Sequence, residues 1–305
     1  MNVMMIGHAN SGKTTYMAAM YKKMYEGIQG YSIESNNLKN HNDLMTINNR
    51  LLQGYYPGST DIHSEYKFKL LYNKKALIDF NWFDYRGGAL IQESNSLSDV
   101  VVLNRKIKES DALIVFLDGD KMTKNDPILQ KELRLLISRI RHSVKELDKN
   151  TSFPISFVVT KGRRFENNNL FETVGYLSIK NLIEEIKQSE NINGLLTVTE
   201  INKNAMLNIE FPFLFSMQNG ILNLRNKAVV EHDECLVQAN NNTSDANLFD
   251  DVFCFFSGHK TSRELANEKL SRVKKMKEEI EYLASNCGKI KTILDKVNSE
   301  KIHLF

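Results

Sequence analysis

Gly7-His8-Ala9-Asn10-Ser11-Gly12-Lys13-Thr14 reads G-x-x-x-x-G-K-[ST], a loop whose backbone wraps around phosphate. Its flanks give the pattern weight. Asn2-Val3-Met4-Met5-Ile6 before it is a short, mostly apolar run suited to a buried parallel strand. Thr15 to Met24 after it carries apolar residues at helical spacing with no breaker. Gly7 and Gly12 let the chain turn tightly and approach an anion, and the N–H groups at the helix start point at it. The nucleotide-binding candidates here are Gly7, Asn10, Ser11, Gly12, Lys13, Thr14 and Thr15. Lys13 would reach the β- and γ-phosphates and take a catalytic part, and the Thr14 hydroxyl would bind Mg²⁺. The competing reading is a glycine-rich turn with no ligand.

The chain has 305 residues, enough for one large α/β domain with an appended piece. Forty basic against thirty-seven acidic residues leave a net charge of +3, too balanced to argue for nucleic acid or a membrane surface as the main partner. No apolar run approaches the roughly 18 residues of a spanning helix. The strand before the loop starts almost at Met1, leaving no room for a signal peptide. Cys235, Cys254 and Cys287 are scattered and imply no disulfide framework. The expected compartment is the cytoplasm.

Alternation of strand and helix patterns predicts an α/β fold of three layers, mostly parallel, with helices on both faces. Gly27 to Thr60 reads as polar and irregular apart from a helix over Leu44 to Leu52. Tyr66–Leu70 and Ala76–Phe83, joined by Asn73-Lys74-Lys75, form a hairpin that would place one antiparallel strand at an edge. Leu97–Lys108, Ile128–Leu147 and Tyr176–Ile186 read as helices, and Ala112–Leu117 and Ile155–Thr160 as buried strands. Ile209–Phe215 reads as the last strand, with Pro212 at an edge or strand start.

The character changes near Lys227, giving an expected nucleotide domain over 1–226 and an extension over 227–305. The extension holds apolar runs around a polar loop at Asn240–Asp245. A long helix follows from Thr261, interrupted at Gly288, then a short helix over Ile290–Val297. These helices pack on the nucleotide domain or form an arm for a protein partner.

Asp84-Tyr85-Arg86-Gly87 at the end of the second hairpin strand fits D-x-x-G. Asp84 would hold Mg²⁺ and the Gly87 N–H would bond the γ-phosphate, sensing its loss on hydrolysis. Thr60, with Ser59 as its rival, could complete the Mg²⁺ shell. Arg86 is a catalytic candidate able to stabilise charge on the γ-phosphate, or else a surface arginine paired with a carboxylate. His8 reads as solvent-facing.

This order of features resembles the Ras-like GTPase superfamily. Within it, G-x-x-N-x-G-K-T is similar to the translation-factor-related class, whose K⁺-stimulated members use an asparagine at the Asn10 position. Gly54-Tyr55-Tyr56-Pro57-Gly58-Ser59-Thr60 and Asp84-Tyr85-Arg86-Gly87-Gly88 resemble bacterial double-GTPase-like domains of conflict and defence clusters. The likeness covers roughly Met1 to Asn226. It implies GTP and GDP as ligands, Mg²⁺ and K⁺ as ions, and a switch read by a protein partner.

Two departures stand out. The base-reading motif of such proteins is [NT]-K-x-D, whereas this chain has Thr160-Lys161-Gly162-Arg163. Thr160 and Lys161 remain base-side candidates, with the Lys161 stem able to pack on a base, and Ser216 is a third through its backbone N–H. Gly88 stands where many members carry a water-orienting Gln, which points to slow or partner-dependent hydrolysis. Three further readings stay open: an ATP user of the same fold, a nucleotide-binding scaffold without turnover, and a small-molecule kinase, for which clustered arginines are scarce. His232, Cys235, Cys254 and His259 are on paper four zinc ligands, against which Cys254 sits in an apolar core-like run.

Overall fold

The computed structural model describes residues 1–58, 64–85, 97–124, 126–145, 147, 152–165, 169–244, 262–296 and 301–305. Ten strands are found among them: β1 Asn2–Gly7, β2 Tyr31–Ser35, β3 Ser64–Tyr72, β4 Lys75–Asp84, β5 Ala112–Asp118, β6 Phe153–Thr160, β7 Ile192–Val198, β8 Glu200–Ile201, β9 Met206–Leu207 and β10 Ile302–Leu304. The helices are α1 Lys13–Glu26, α2 Leu38–Leu52, α3 Leu97–Lys108, α4 Gly119–Met122, α5 Pro127–Lys145, α6 Val174–Lys187, α7 Glu210–Ser244 and α8 Ser262–Asp295. Eight strands form one sheet in the order β10-β7-β6-β5-β1-β4-β3-β2, and β8 pairs with β9 separately. β7, β6, β5, β1 and β4 run parallel. β3 lies antiparallel between β4 and β2, and β10 is antiparallel at the far edge.

The parallel strands are apolar on both faces because helices cover both. Every residue of β5 and β6 is buried. Leu113, Val115, Leu117, Ile155, Phe157 and Val159 meet Leu103 and Ile107 of α3, Leu136 and Ile140 of α5 and Ile179 and Leu182 of α6 in one cluster. On the opposite face Tyr16 of α1 sits edge-on to Phe116, and Phe213 stacks on Trp82. The expected three-layer α/β architecture is observed. The hairpin turn is two residues, Asn73 and Lys74, both at positive φ (48° and 65°), the conformation that matches strand twist.

Several elements differ from expectation. The stretch read as irregular contains β2 and all of α2, because Asn37 caps the helix by accepting from the Lys39 N–H. Ile209–Phe215 is not a strand. Pro212 falls in the first turn of α7, where its missing N–H costs nothing. The last parallel strand is instead β7. Asn240 to Ser244 continues α7, and α8 runs through Gly288 unbroken. The described chain forms two compact units, Met1–Gly220 with Ile290–Phe305, and Ile221–Lys289.

Candidate nucleotide-binding site

β1 ends at Gly7, where a Cβ would meet the Phe116 carbonyl oxygen at 2.7 Å, so only glycine lets β1 pass this close to β5. The loop then turns through two left-handed residues, Asn10 (φ 62°) and Gly12 (φ 85°). The Ser11 N–H donates to the His8 carbonyl at 3.2 Å, closing the turn. α1 opens on Gly12 without a side-chain cap and without an acidic residue in its first turn, which leaves its positive end to an anion.

Lys13 is buried, and its Nζ donates to the carbonyls of Gly7 (2.9 Å) and His8 (3.1 Å). Burial pulls its pKa below the ordinary value, opposed by Asp84. Asp84 ends β4, beside β1 in register Met5↔Asp84. It is 5% exposed, and its Oδ2 accepts from the Thr14 hydroxyl at 3.5 Å. Its Oδ1 is buried with no hydrogen-bond partner among the described residues. Burial raises its pKa to about 6, with Lys13 and the Thr14 hydroxyl pulling the other way. A hydroxyl and a buried carboxylate with an unused oxygen are hard donors that fit Mg²⁺. The expected pair of metal ligands is therefore brought together.

These groups form one end of a cavity of about 430 Å³ whose wall includes Ala9 through Thr15, Asp84 and Tyr85. That volume suits a small-molecule ligand. The other end is walled by Thr160 at the end of β6, Lys161 and Arg163 just beyond it, and Thr199, Glu200 and Ile201 after β7, with Tyr56, Pro57 and Gly58 alongside. The Thr160 hydroxyl lies 3.0 Å from the Ser11 carbonyl and 3.2 Å from that of Leu117, tying β6 to the phosphate loop.

Of the expected site residues, Asn10, Ser11, Gly12, Lys13, Thr14, Thr15, Asp84, Thr160 and Lys161 all line this cavity. Thr60, Arg86 and Gly87 lie outside the described residues, as do Gly88, Cys254 and His259. Ser216 is misplaced by the sequence reading: it is fully buried inside α7, its hydroxyl donating to the Pro212 carbonyl at 2.9 Å. His8 is also corrected, being 3% exposed, with burial and then Lys121 lowering its pKa to about 4. The Lys161 ammonium is held by Asp118 at 2.7 Å and Asp120 at 3.5 Å. Tyr56, Asp118, Thr199, Glu200 and Ile201 were missed. Tyr56 alone carried a signal, as an aromatic residue in the turn-rich sequence Gly54–Thr60, and its hydroxyl donates to the Ile201 carbonyl at 3.4 Å. Among the described residues no cluster of three or more His, Cys, Asp or Glu could hold a metal ion.

Among solved structures the chain is similar to a mutation variant of SsGBP, with 14% identity and a TM-score of 0.37, covering 72% of this chain and 56% of that one. It is similar to the signal recognition particle receptor SRb-GTP/SRX complex from Chaetomium thermophilum, with 13% identity and a TM-score of 0.36, covering 65% and 90%. The S. cerevisiae Ski7 GTPase-like domain bound to GTP shows 12% identity and a TM-score of 0.36, covering 65% and 42%. The chain thus spans little more than half of the first of these and less than half of the third. No curated protein matches it. The model of the Double-GTPase 1 family matches residues 4–160, more than half of the chain. That span runs from β1 through the phosphate loop and Asp84 to Thr160, and the chain belongs to the Double-GTPase 1 family.

Proposed function

We propose that this chain binds Mg²⁺-GTP, hydrolyses it slowly or under the control of a protein partner, and works as a molecular switch. One observation carries the reading: Lys13, the Thr14 hydroxyl and the half-satisfied Asp84 carboxylate converge at one end of the cavity. Family membership supports GTP as the nucleotide. Lys13 would exchange its loop carbonyls for phosphate oxygens, and the first-turn N–H groups of α1 would take the rest. Thr14 and Asp84 would hold Mg²⁺, which would supply positive charge to neutralise the phosphates.

Thr60 would complete the metal shell, Gly87 would sense the γ-phosphate, and Arg86 would stabilise charge there. K⁺ would act through Asn10. Order in the segments 27–60 and 84–92 would be what a partner reads, and the cytoplasm and a bacterial defence system are the proposed setting. Among the described residues no helix is long and apolar enough to cross a membrane. Arg163, standing where a base-reading carboxylate is expected, favours a second reading in which the nucleotide is ATP. Calorimetry with Mg²⁺ and GTP, GDP, ATP or ADP analogues separates the two, and a phosphate-release assay separates turnover from scaffold binding. Tight guanine binding is expected; adenine preference would establish the second reading, and no binding would overturn both.

A further inference from the structure

A guanine base presents two adjacent donors, N1–H and the N2 amine, and a carboxylate with its two oxygens is the side chain that accepts both. Among the described residues two acidic residues line the cavity, Asp84 and Glu200. Asp84 is at the phosphate end beside Thr14. Glu200 is at the opposite end, on the β8–β9 ladder where it pairs with Leu207.

We infer that Glu200 is the guanine-specificity residue of this site, its carboxylate accepting N1–H and the N2 amine in place of the carboxylate that position 163 lacks. This rests on the nucleotide reading above and deepens it. The local fold sets the carboxylate beside the Arg163 backbone. The Thr199 N–H donates to the Val159 carbonyl at 2.7 Å, and the Gly162 N–H donates to the Thr199 carbonyl at 2.9 Å, so the two strand ends run together. Glu200 Oε2 accepts from the Arg163 N–H, and Oε1 accepts from Asn202 Nδ2 at 2.8 Å. Asn202 is itself fixed, its Oδ1 accepting from the N–H groups of Asn204 (2.8 Å) and Ala205 (2.9 Å). Among the described residues each Glu200 oxygen therefore has one anchoring donor and a second lone pair, a held fork rather than a waving surface chain. Adenine would set its N1 lone pair against this fork, and hypoxanthine would leave one oxygen without its donor. Lys161 does not compete for the carboxylate, because Asp118 and Asp120 hold its ammonium.

The test is calorimetry of the full chain with Mg²⁺ and GDP, ADP, inosine diphosphate or xanthosine diphosphate, for wild type and Glu200→Gln. Wild type is expected to bind GDP about 10- to 100-fold more tightly than inosine diphosphate, the range of one charged hydrogen bond. Glu200→Gln keeps an acceptor for N1–H but offers an amine where guanine also has one. It should lose GDP affinity by a similar factor and gain affinity for xanthosine diphosphate, whose O2 accepts that amine. An unchanged ratio of GDP to xanthosine diphosphate in the variant overturns the inference and leaves nucleotide binding standing. Equal wild-type affinity for GDP and inosine diphosphate overturns it without any variant. Failure of wild type to bind any of the four overturns the inference and the nucleotide reading together.

Discussion

Asp84→Asn should make the protein more stable when metal and nucleotide are removed by chelation and desalting. The carboxyl is 5% exposed, and burial lifts its pKa from 3.8 to about 6, against the opposing pull of Lys13 and Thr14. The folded chain then holds the Asp84 proton more tightly than the unfolded chain does. That contribution to stability is complete below about pH 3.8 and is lost as pH rises through about 6. A rise from 3.8 to about 6 corresponds to about 3 kcal/mol of cost for the ionised group at pH 7.5. Asparagine keeps the shape and removes the charge. The variant should therefore exceed wild type by about 3 kcal/mol at pH 7.5, about 5 °C in melting temperature for a chain of this size, and by almost nothing at pH 4. His8 works in the opposite direction, its lowered pKa of about 4 making the folded state lose stability as pH falls from about 6.5. It is present in both proteins and cancels in their difference. Urea unfolding of both proteins in chelator across pH 4 to 7.5 measures this. A variant less stable than wild type at pH 7.5, or a gap that stays constant with pH, would refute the account of Asp84 as a carboxylate held ready for a cation. With Mg²⁺ and GDP the gap should shrink or reverse, because wild type gains more from the ligand than a variant without the metal-binding carboxylate.

Lys13→Ala should abolish heat of nucleotide binding in calorimetry while leaving the ligand-free melting curve cooperative, since the ammonium is buried there at some cost; unchanged affinity would sink the nucleotide reading. Thr160→Val removes the hydroxyl near the Ser11 and Leu117 carbonyls at nearly constant volume, and should cost about 1–3 kcal/mol in urea unfolding and weaken nucleotide binding. Loss of neither would show that this link does not hold the loop. Phosphate release should run faster in K⁺ than in Na⁺ through Asn10, and equal rates would remove that role.

The phosphate-binding end was legible because its residues are consecutive and their flanks are strongly patterned. Gly7 to Thr15 and the Asp84 strand end needed only motif and strand order, and the runs at β5 and β6 are apolar throughout because both faces are covered. The other end was not legible. β7 is broken in the sequence by Asn193 and Gly194, which read as turn residues. Gly194 has a packing reason instead: a Cβ there would run into the ring of Phe305, beside β10. With β7 unseen, Ile209-Glu210-Phe211-Pro212-Phe213-Leu214-Phe215 was the next mostly apolar run and took its place, its last five residues carrying no polar break. A run that is apolar at every position shows neither a period of 2 nor one of 3.6, so only the long continuation through Ile221 separates helix from strand. The error carried Ser216 into the site and kept Glu200 out of it. β2 was hidden for a different reason, being a short edge strand with only Tyr31 and Ile33 buried.

The two ends of the cavity are not independent, and Thr160 is the reason. Its hydroxyl lies within hydrogen-bonding distance of the Ser11 carbonyl of the phosphate loop. Two and three residues further on, the Gly162 N–H donates to the Thr199 carbonyl and the Arg163 N–H donates to Glu200. A base that pulls on Glu200 therefore bears on the same short backbone segment that braces the phosphate loop. Gly12 reinforces this, since a Cβ added there would lie 3.2 Å from the Thr160 methyl, so the loop and the β6 end are already in close packing. Side chains held by backbone on both sides have little freedom to adjust separately. If base recognition resides in Glu200, weakening the Thr160 link should lower affinity for GDP more than for inorganic phosphate or pyrophosphate, which engage the loop alone. That difference separates a brace acting on the whole site from one acting on the loop.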